Sequence, residues 1–443
     1  MNKTNNLSIG RHLAMGVLLF LCSSIVGYAQ NGPKLNEYTF GEGLTFSNKD
    51  EYSINLRGYI QPMMEVLNYN GNDEKDNLTR FRMRRARLRL TGDIKKYKLD
   101  YRFQFDLSGS SEVGDDQASL LLDAWIRYGL TKQINISFGQ KTTPTDNLEL
   151  SMGSQTLQLV ERSRLTSAFS SIREFGIFID GSFKTGGSSY LRPSIAITNG
   201  DGLNVYGVDH GGFKYGARVD FLPFGLFTRY GQYRQADMAR ENIPKLLIGA
   251  TYSYNDGMSS RRGRNSGAIL YLNNDGEETL PDYTKYGIDL LFKYRGFSMI
   301  GEFVGTESYV PKSITQRVRT DGSIATTFDV DGTEDVKNYV RGRMMLGKGY
   351  NIQMGYLFKS LWSIDARYTH LEADDNSFLN NGTFYNRPNH YTIGATKYLD
   401  RSYGVKIQGD ITYTDLAAGS NDIYGNPISG NEWSVRLMTS IAF

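Results

Sequence analysis

The chain has 443 residues, with 50 Lys and Arg against 47 Asp and Glu and a formal net charge of +3. So near a balance gives no warrant for nucleic acid as a partner. The one cysteine, Cys22, lies in an amino-terminal apolar run, so neither a disulfide framework nor a cysteine-bound metal is expected of the remainder.

Lys3 and Arg11 make a basic start, Leu13 to Val26 is a short apolar run, and Gly27-Tyr28-Ala29 offers small residues for cleavage. Residues 1–29 therefore read as a secretory signal peptide, with Gln30 as the new amino terminus. Leu21 is too large to precede a lipoprotein cysteine, so no lipid anchor is expected. Residues 30–51 are a short periplasmic lead-in, and 52–443 form one domain. Past Gln30 nothing approaches the roughly 18 apolar residues of a spanning helix. A closed barrel is the other way to satisfy every backbone hydrogen bond in lipid. Composition favours it: mean hydropathy is -0.43, yet there are 30 Tyr, 23 Phe and 48 Gly, as suits a wall with one wet face and aromatic girdles.

Strand alternation starts within the arginine-rich run Arg80–Leu90. Ala86, Leu88 and Leu90 share one face, so Arg85, Arg87 and Arg89 share the other. On the lipid side near the midplane each arginine would cost about 2–4 kcal/mol, so the three are expected to line the lumen. Strict pleating aims Arg82 and Arg84 outward; either a bulge resets the register, or both sit at headgroup level.

Next, Tyr97, Leu99, Tyr101, Phe103, Phe105 and Leu107 alternate with Lys98, Asp100, Arg102, Gln104, Asp106 and Ser108. Leu122, Ala124, Ile126 and Tyr128 alternate with Asp123, Trp125 and Arg127, placing Arg102 and Arg127 on the wet face. The dyad recurs over 134–139, 214–221, 246–254, 362–368 and 405–411, and the chain ends in a strand from Trp433 to Phe443. The whole reads as an all-β, antiparallel, up-and-down transmembrane β-barrel of 16 strands, up to 18 if the 261–282 region hides a hairpin. A barrel that wide holds water.

Tight turns are expected on one rim, at 92–95, 130–132, 222–224, 295–296, 359–360 and 400–402. Long loops belong on the other rim, over 68–77, 141–172, 199–212, 306–338, 371–389 and 415–431. The 141–172 connection carries Lys141, Glu161, Arg162, Arg164 and, just beyond it, Arg173, with Leu157, Leu159 and Leu165 to anchor it. It is the candidate for a loop folded into the pore.

Guanidiniums two residues apart rise about 6.8 Å per step, close enough to pass an anion between successive donors. Asp100, Asp106, Asp123, Asp220 and Asp410 share the wet face, so a mixed, weakly selective wall is the competing reading. His210, His370 and His390 show no metal-ligand spacing and no nucleophile motif. No enzyme, cofactor or metal is expected; His390 with Asp374 is the one conceivable start for a phospholipase-like site, and a barrel that binds partners at its surface is a third alternative.

The sequence resembles the phosphate-selective porin O and P family in its Bacteroides-type form. The likeness rests on Phe81-Arg82-Met83-Arg84-Arg85-Ala86-Arg87-Leu88 with Gly92, on Phe138-Gly139-Gln140-Lys141 with Pro144, and on Val160-Glu161-Arg162-Ser163. Arg173-Glu174-Phe175-Gly176, Thr198-Asn199-Gly200 and Gly296-Phe297 with Gly301-Glu302-Phe303 complete it. The resemblance implies a sixteen-stranded porin in the bacterial outer membrane, a homotrimer in lipid, and passive passage of small anionic or polar solutes such as phosphate. It makes Arg85, Arg87 and Arg89 the arginine ladder and puts Lys141, Arg162, Arg164 and Arg173 near the constriction; a lysine cluster has no clear counterpart here.

Overall fold

The computed structural model describes residues 34–48, 51–69, 78–111, 119–205, 208–428 and 430–443. The expected signal segment, residue 70 onward in the first loop as far as 77, and residues 112–118 lie outside them. The strands in chain order are β1 (Lys34–Thr39), β2 (Gly43–Asn48), β3 (Tyr52–Tyr69), β4 (Leu78–Ile94), β5 (Leu99–Asp106), β6 (Leu121–Gly129), β7 (Ile134–Thr142) and β8 (Arg173–Gly181). There follow β9 (Phe183–Gly186), β10 (Ser189–Thr198), β11 (Lys214–Leu222), β12 (Lys245–Asn255), β13 (Tyr271–Leu272), β14 (Asp282–Tyr294), β15 (Phe297–Tyr309) and β16 (Gln316–Val318). The last are β17 (Ile324–Ala325), β18 (Asp329–Val330), β19 (Thr333–Glu334), β20 (Gly347–Leu357), β21 (Trp362–Ala373), β22 (Asn389–Tyr398), β23 (Val405–Asp415) and β24 (Glu432–Ala442).

Sixteen of these close into an antiparallel barrel. Each pairs with its neighbour in sequence, and β24 returns to β3 in a register running from Glu432 opposite Tyr69 to Ala442 opposite Tyr59. Phe443 extends the seam, its N–H and C=O exchanging 2.9 Å bonds with Gly58. Closure leaves no free edge, the condition for strands in lipid. Below the seam the same edge of β3 is taken by β2, whose Leu44–Asn48 pairs with Tyr52–Leu56, and β1 pairs with β2 in turn. The lead-in is thus a hairpin added to the first barrel strand.

The period-two pattern becomes two faces. Ile126, Ile288, Ile393 and Leu437 stand outward and exposed, while Ser137, Ser253, Thr396 and Ser440 point in and are buried. Among the described residues no helix is long and apolar enough to cross a membrane; strands do the crossing.

Four expectations need correcting. The turn expected at 92–95 comes later, over 95–98, because Gly92, Asp93 and Ile94 still pair with Ile54, Ser53 and Tyr52 in β4. The 261–282 region adds no barrel hairpin: β13 pairs with β16, and β16 with β17, in a small sheet above the loop rim. There 256–281 and 310–346 share an apolar core of Met258, Tyr271, Ile314, Phe328, Tyr339 and Val340, the last two on a short helix, Val336–Arg341. The long loop expected to end at 338 therefore runs on to 346. Finally, Leu222-Pro223-Phe224 does not close a tight turn to the next strand. Twenty-two residues, 223–244, separate β11 from β12 on the rim of short turns.

Candidate functional site: a half-filled lumen with an arginine wall

The arginine strand carries a bulge. Gln61 faces Arg85 and Pro62 faces Met83, leaving Arg84 as the extra residue. Pro62 has no N–H to give the ladder, and a bulge opposite it removes the demand. The consequence is a parity switch. Phe81 and Met83 point outward, and Arg80, Arg82 and Arg84 above the bulge share the inner side with Arg85, Arg87 and Arg89 below it. No guanidinium of the run is left in the lipid.

The 143–172 connection folds into the barrel, held by helices α1 (Leu148–Ser151) and α2 (Arg164–Phe169). Ser163 caps α2, accepting from Thr166 N, and Arg162 donates to the carbonyls of Glu149 at 2.6 Å and Met152 at 2.8 Å. Irregular backbone at membrane depth persists only if the protein satisfies it, and the wall does so. Gln408 donates to the Leu157 and Gln158 carbonyls, each at 2.9 Å, and Val160 N donates to Asp410 at 2.9 Å. Glu302 accepts from Glu149 N at 2.7 Å and from the Asn147 amide at 2.9 Å. At the loop base, Lys285 pairs with Asp146. Burial alone would raise Asp146, but Lys285 and Lys214 hold it below the usual carboxylate range.

Glycines on the wall make the bed. A Cβ on Gly216 would stand 2.3 Å from Thr145 Cγ2, and one on Gly394 would stand 2.7 Å from Leu159 Cδ2. Leu148 and Met152 complete a dry cluster with inward-facing Leu222, Leu247, Leu291 and Ile300 and with Phe227. Each such side chain gains about 1.5–3 kcal/mol over exposure to water, which keeps the loop inside.

The loop lines the wall from β11 round to β4. Its far end is pinned by Glu161, which Arg84 meets with two nitrogens, one at 2.9 Å, and which Arg85 reaches at 3.2 Å. Burial would raise Glu161; Arg84 and Arg85 outweigh it and hold the carboxyl far below its ordinary range. What stays open is part of the wall of β5–β8. Side-chain exposure is 35% at Arg102 and 40% at Arg127, against 1% for lumen-facing Gln353 and Gln408 on the filled side.

The nine cationic side chains expected along the pore divide accordingly. Arg85 is fully buried between Gln61 and Glu161, and Arg162 is spent on loop carbonyls; as clamps they are closed off from the conduit, contrary to expectation. Arg164 sits at the loop-rim mouth, donating to the Phe384 carbonyl and stacking on Tyr385, away from any constriction. Arg87 binds Asp106 at 2.8 Å and Ser154 at 3.1 Å. Arg173 binds Asp123 at 2.8 Å, Arg127 binds Asp100 at 2.8 Å, and Lys141 binds Asp180 at 3.2 Å.

Arg89 and Arg102 differ. Arg89 has no carboxylate within ion-pair distance among the described residues, and Arg102 reaches Asp123 only at 3.9 Å. The Nε atoms of both are buried without a hydrogen-bond partner. Arg57, which sequence reasoning passed over, is the cross-strand partner of Arg89 on the lumen face and also lacks an ion pair among the described residues. The signal was present, since Arg57 shares the parity of inward Gln61 and Glu65.

His390 and Asp374 are not brought together. His390 Nε2 lies 3.1 Å from the Arg387 carbonyl and its Nδ1 3.2 Å from the Thr414 hydroxyl, whereas Asp374 binds Arg341 at 2.8 Å.

A family model described as phosphate-selective porin O and P matches residues 54–396. No curated protein sequence matches the chain. Among solved structures the fold is similar to Pseudomonas putida OprB at high pH, with 10% identity, TM-score 0.52, and coverage of 89% of this chain and 94% of that one. It is also similar to Salmonella typhi OmpF in complex with daunomycin (11% identity, TM-score 0.49, 90% and 99% covered). A third is the outer membrane channel DcaP of Acinetobacter baumannii (12% identity, TM-score 0.47, 91% and 100% covered).

Proposed function

The chain belongs to the phosphate-selective porin O and P family, and from that premise we propose an outer-membrane porin whose passive conduit favours small anions, phosphate among them. The carrying observation is the uncompensated charge on the open wall. Arg57, Arg87, Arg89, Arg102, Arg127, Lys141 and Arg173 stand with five carboxylates; Asp100, Asp106, Asp123 and Asp180 pair with Arg127, Arg87, Arg173 and Lys141, and Asp93 accepts from the Ser53 hydroxyl. Arg57, Arg89 and Arg102 are left over against Asp93 alone, a surplus of two positive charges. In a water-filled slot with low-dielectric walls such a surplus concentrates anions and repels cations. Planar guanidiniums also suit the oxygens of phosphate. Assembly as a homotrimer in outer-membrane lipid is part of the same reading and rests on the family.

The test is the reversal potential of the reconstituted channel across a potassium chloride gradient. The wild type is expected to favour chloride, and Arg89→Ala with Arg102→Ala to bring the potential to within a few millivolts of zero. A cation-preferring wild type would end the reading.

A further inference from the structure

Residues 223–244 lie on the rim where every other link between barrel strands is short, and they do not stay at the rim. Their middle rises into the lumen and is fixed from three sides. Lys293, inward on β14 and buried, donates to the carbonyls of Gly231 and Arg234 at 2.8 Å and Ala236 at 3.0 Å, which uses all three of its protons. The Tyr403 hydroxyl also donates to the Ala236 carbonyl, at 2.9 Å, and Gly296 N donates to Asp237 at 2.7 Å. Arg229 and Tyr230 adopt left-handed backbone, φ 51 and 57, so the turn into the lumen costs free energy that the anchoring must offset.

At the top of this segment Gln235 meets the loop from the opposite rim. Its Oε1 accepts from Gln158 N at 2.7 Å and from Gln353 Nε2 at 3.0 Å, while its Nε2 donates to Glu149 at 3.2 Å. Phe227 shares the dry cluster with Leu148 and Met152 of that loop. Two irregular segments from opposite ends of the barrel thus touch in the middle, and the contact is polar at its centre and apolar at its flank. Beside this contact stand Tyr233, bound by Arg192, and Arg234, whose guanidinium lies over the Tyr403 ring at 5.4 Å.

We propose that 223–244 is a second calibre-setting element, entering from the periplasmic rim, which through Gln235 braces the outer loop and confines flow to the arginine wall. The proposal rests on the porin reading and adds to it a named segment and a positioning residue. An isolated outer loop spanning the lumen would be supported only along its wall side; the lower segment supplies the support from beneath.

Two variants test it, with barrel closure checked by heat-modifiable gel migration. One replaces 226–243 by two glycines; the other, Lys293→Met with Gln235→Leu, undocks the segment while keeping the chain length. In planar bilayers both are expected to raise single-channel conductance at least about twofold, and to admit larger polyethylene glycols than the wild type, because pore cross-section limits both. Folded variants with unchanged conductance and unchanged polymer cut-off would overturn the proposal. Should the shortened chain fail to close, the length-preserving variant decides alone. The sign of the wild-type reversal potential belongs to the proposed function and is unaffected by either outcome, so the two ideas fail separately.

Discussion

At the scale of single residues the structure separates arginines that hold the fold from arginines that face the conduit. Arg84, Arg85 and Glu161 form a clamp that Arg82 joins at 3.6 Å, so that three guanidiniums share one carboxylate. Removing the carboxylate takes a counter-ion away from buried cations, the costly way to break such a cluster. Glu161→Gln is expected to lose about 3 kcal/mol of local stability, the low end for a buried pair because Glu161 keeps some contact with water. Hydrogen exchange over 155–165 should quicken about a hundredfold, while the barrel strands stay protected. The same clamp sets a pH dependence. A carboxyl held below its unfolded pKa stabilises above that unfolded value, and the gain is lost as pH falls through the folded one. Conductance should therefore be flat from pH 8 to pH 5 and rise only below the ordinary carboxylate value of about 4.3. In Glu161→Gln the acid-induced rise should be absent, and a rise that begins near pH 6 in the wild type would assign the clamp to another group.

At the scale of elements, the bed of inward glycines makes a strand and a loop interdependent. Gly394→Val would drive a branched side chain against Leu159, Gly409 O and Asp410 Cβ, all within 3.0 Å of the new Cβ. Overpacking of this kind costs about 1–3 kcal/mol. The expected result is a closed barrel whose single-channel traces flicker between levels; a barrel that fails to close would instead make Gly394 a requirement of the strand. The alternation along Tyr97–Ser108 or Trp362–Tyr368 made the strands legible, because a half-wet, half-greasy wall forces period two on every segment. It did not show the parity switch at Arg84, since a bulge is a property of two paired strands and appears in neither alone. Pro62 was the available clue, being the residue opposite which a ladder bond must be missing. The lower insert was legible in part: strands ending at Phe221 and resuming at Leu246 leave too many residues for a tight turn at 222–224. Its direction was not, because the groups that pull it inward, Lys293, Gly296, Tyr403 and Gln353 among them, lie far off in sequence. For the same reason Arg162 could not be told from a conduit arginine: its partners are carbonyls of a loop whose path the sequence does not state.

At the scale of the whole molecule, the barrel is two materials in one cross-section. From β11 round to β23 the lumen is packed like a protein interior, with Lys214, Ser253, Asp289, Ser298, Gln353 and Thr396 all buried. Over β5–β7 Arg102, Arg127 and Lys141 keep contact with water, and this is the wet, cationic part of the wall. A sixteen-stranded barrel is too wide for side chains alone to fill, and two inserted segments do the filling from one side, so any open path runs along the few strands they leave uncovered. The asymmetry can be read directly, because the one cysteine of the chain is Cys22, and a Cys22→Ser background gives single-cysteine variants no competing thiol. Arg102→Cys and Arg127→Cys should react with a charged, water-soluble thiol reagent about a hundredfold faster than Ser253→Cys and Thr396→Cys, since thiol reactivity follows access to solvent. Conductance should fall as the first pair is modified and stay constant for the second. Equal rates at all four positions would mean that solvent reaches the whole inner wall, and the inserts would then be loose in the lumen rather than part of its structure.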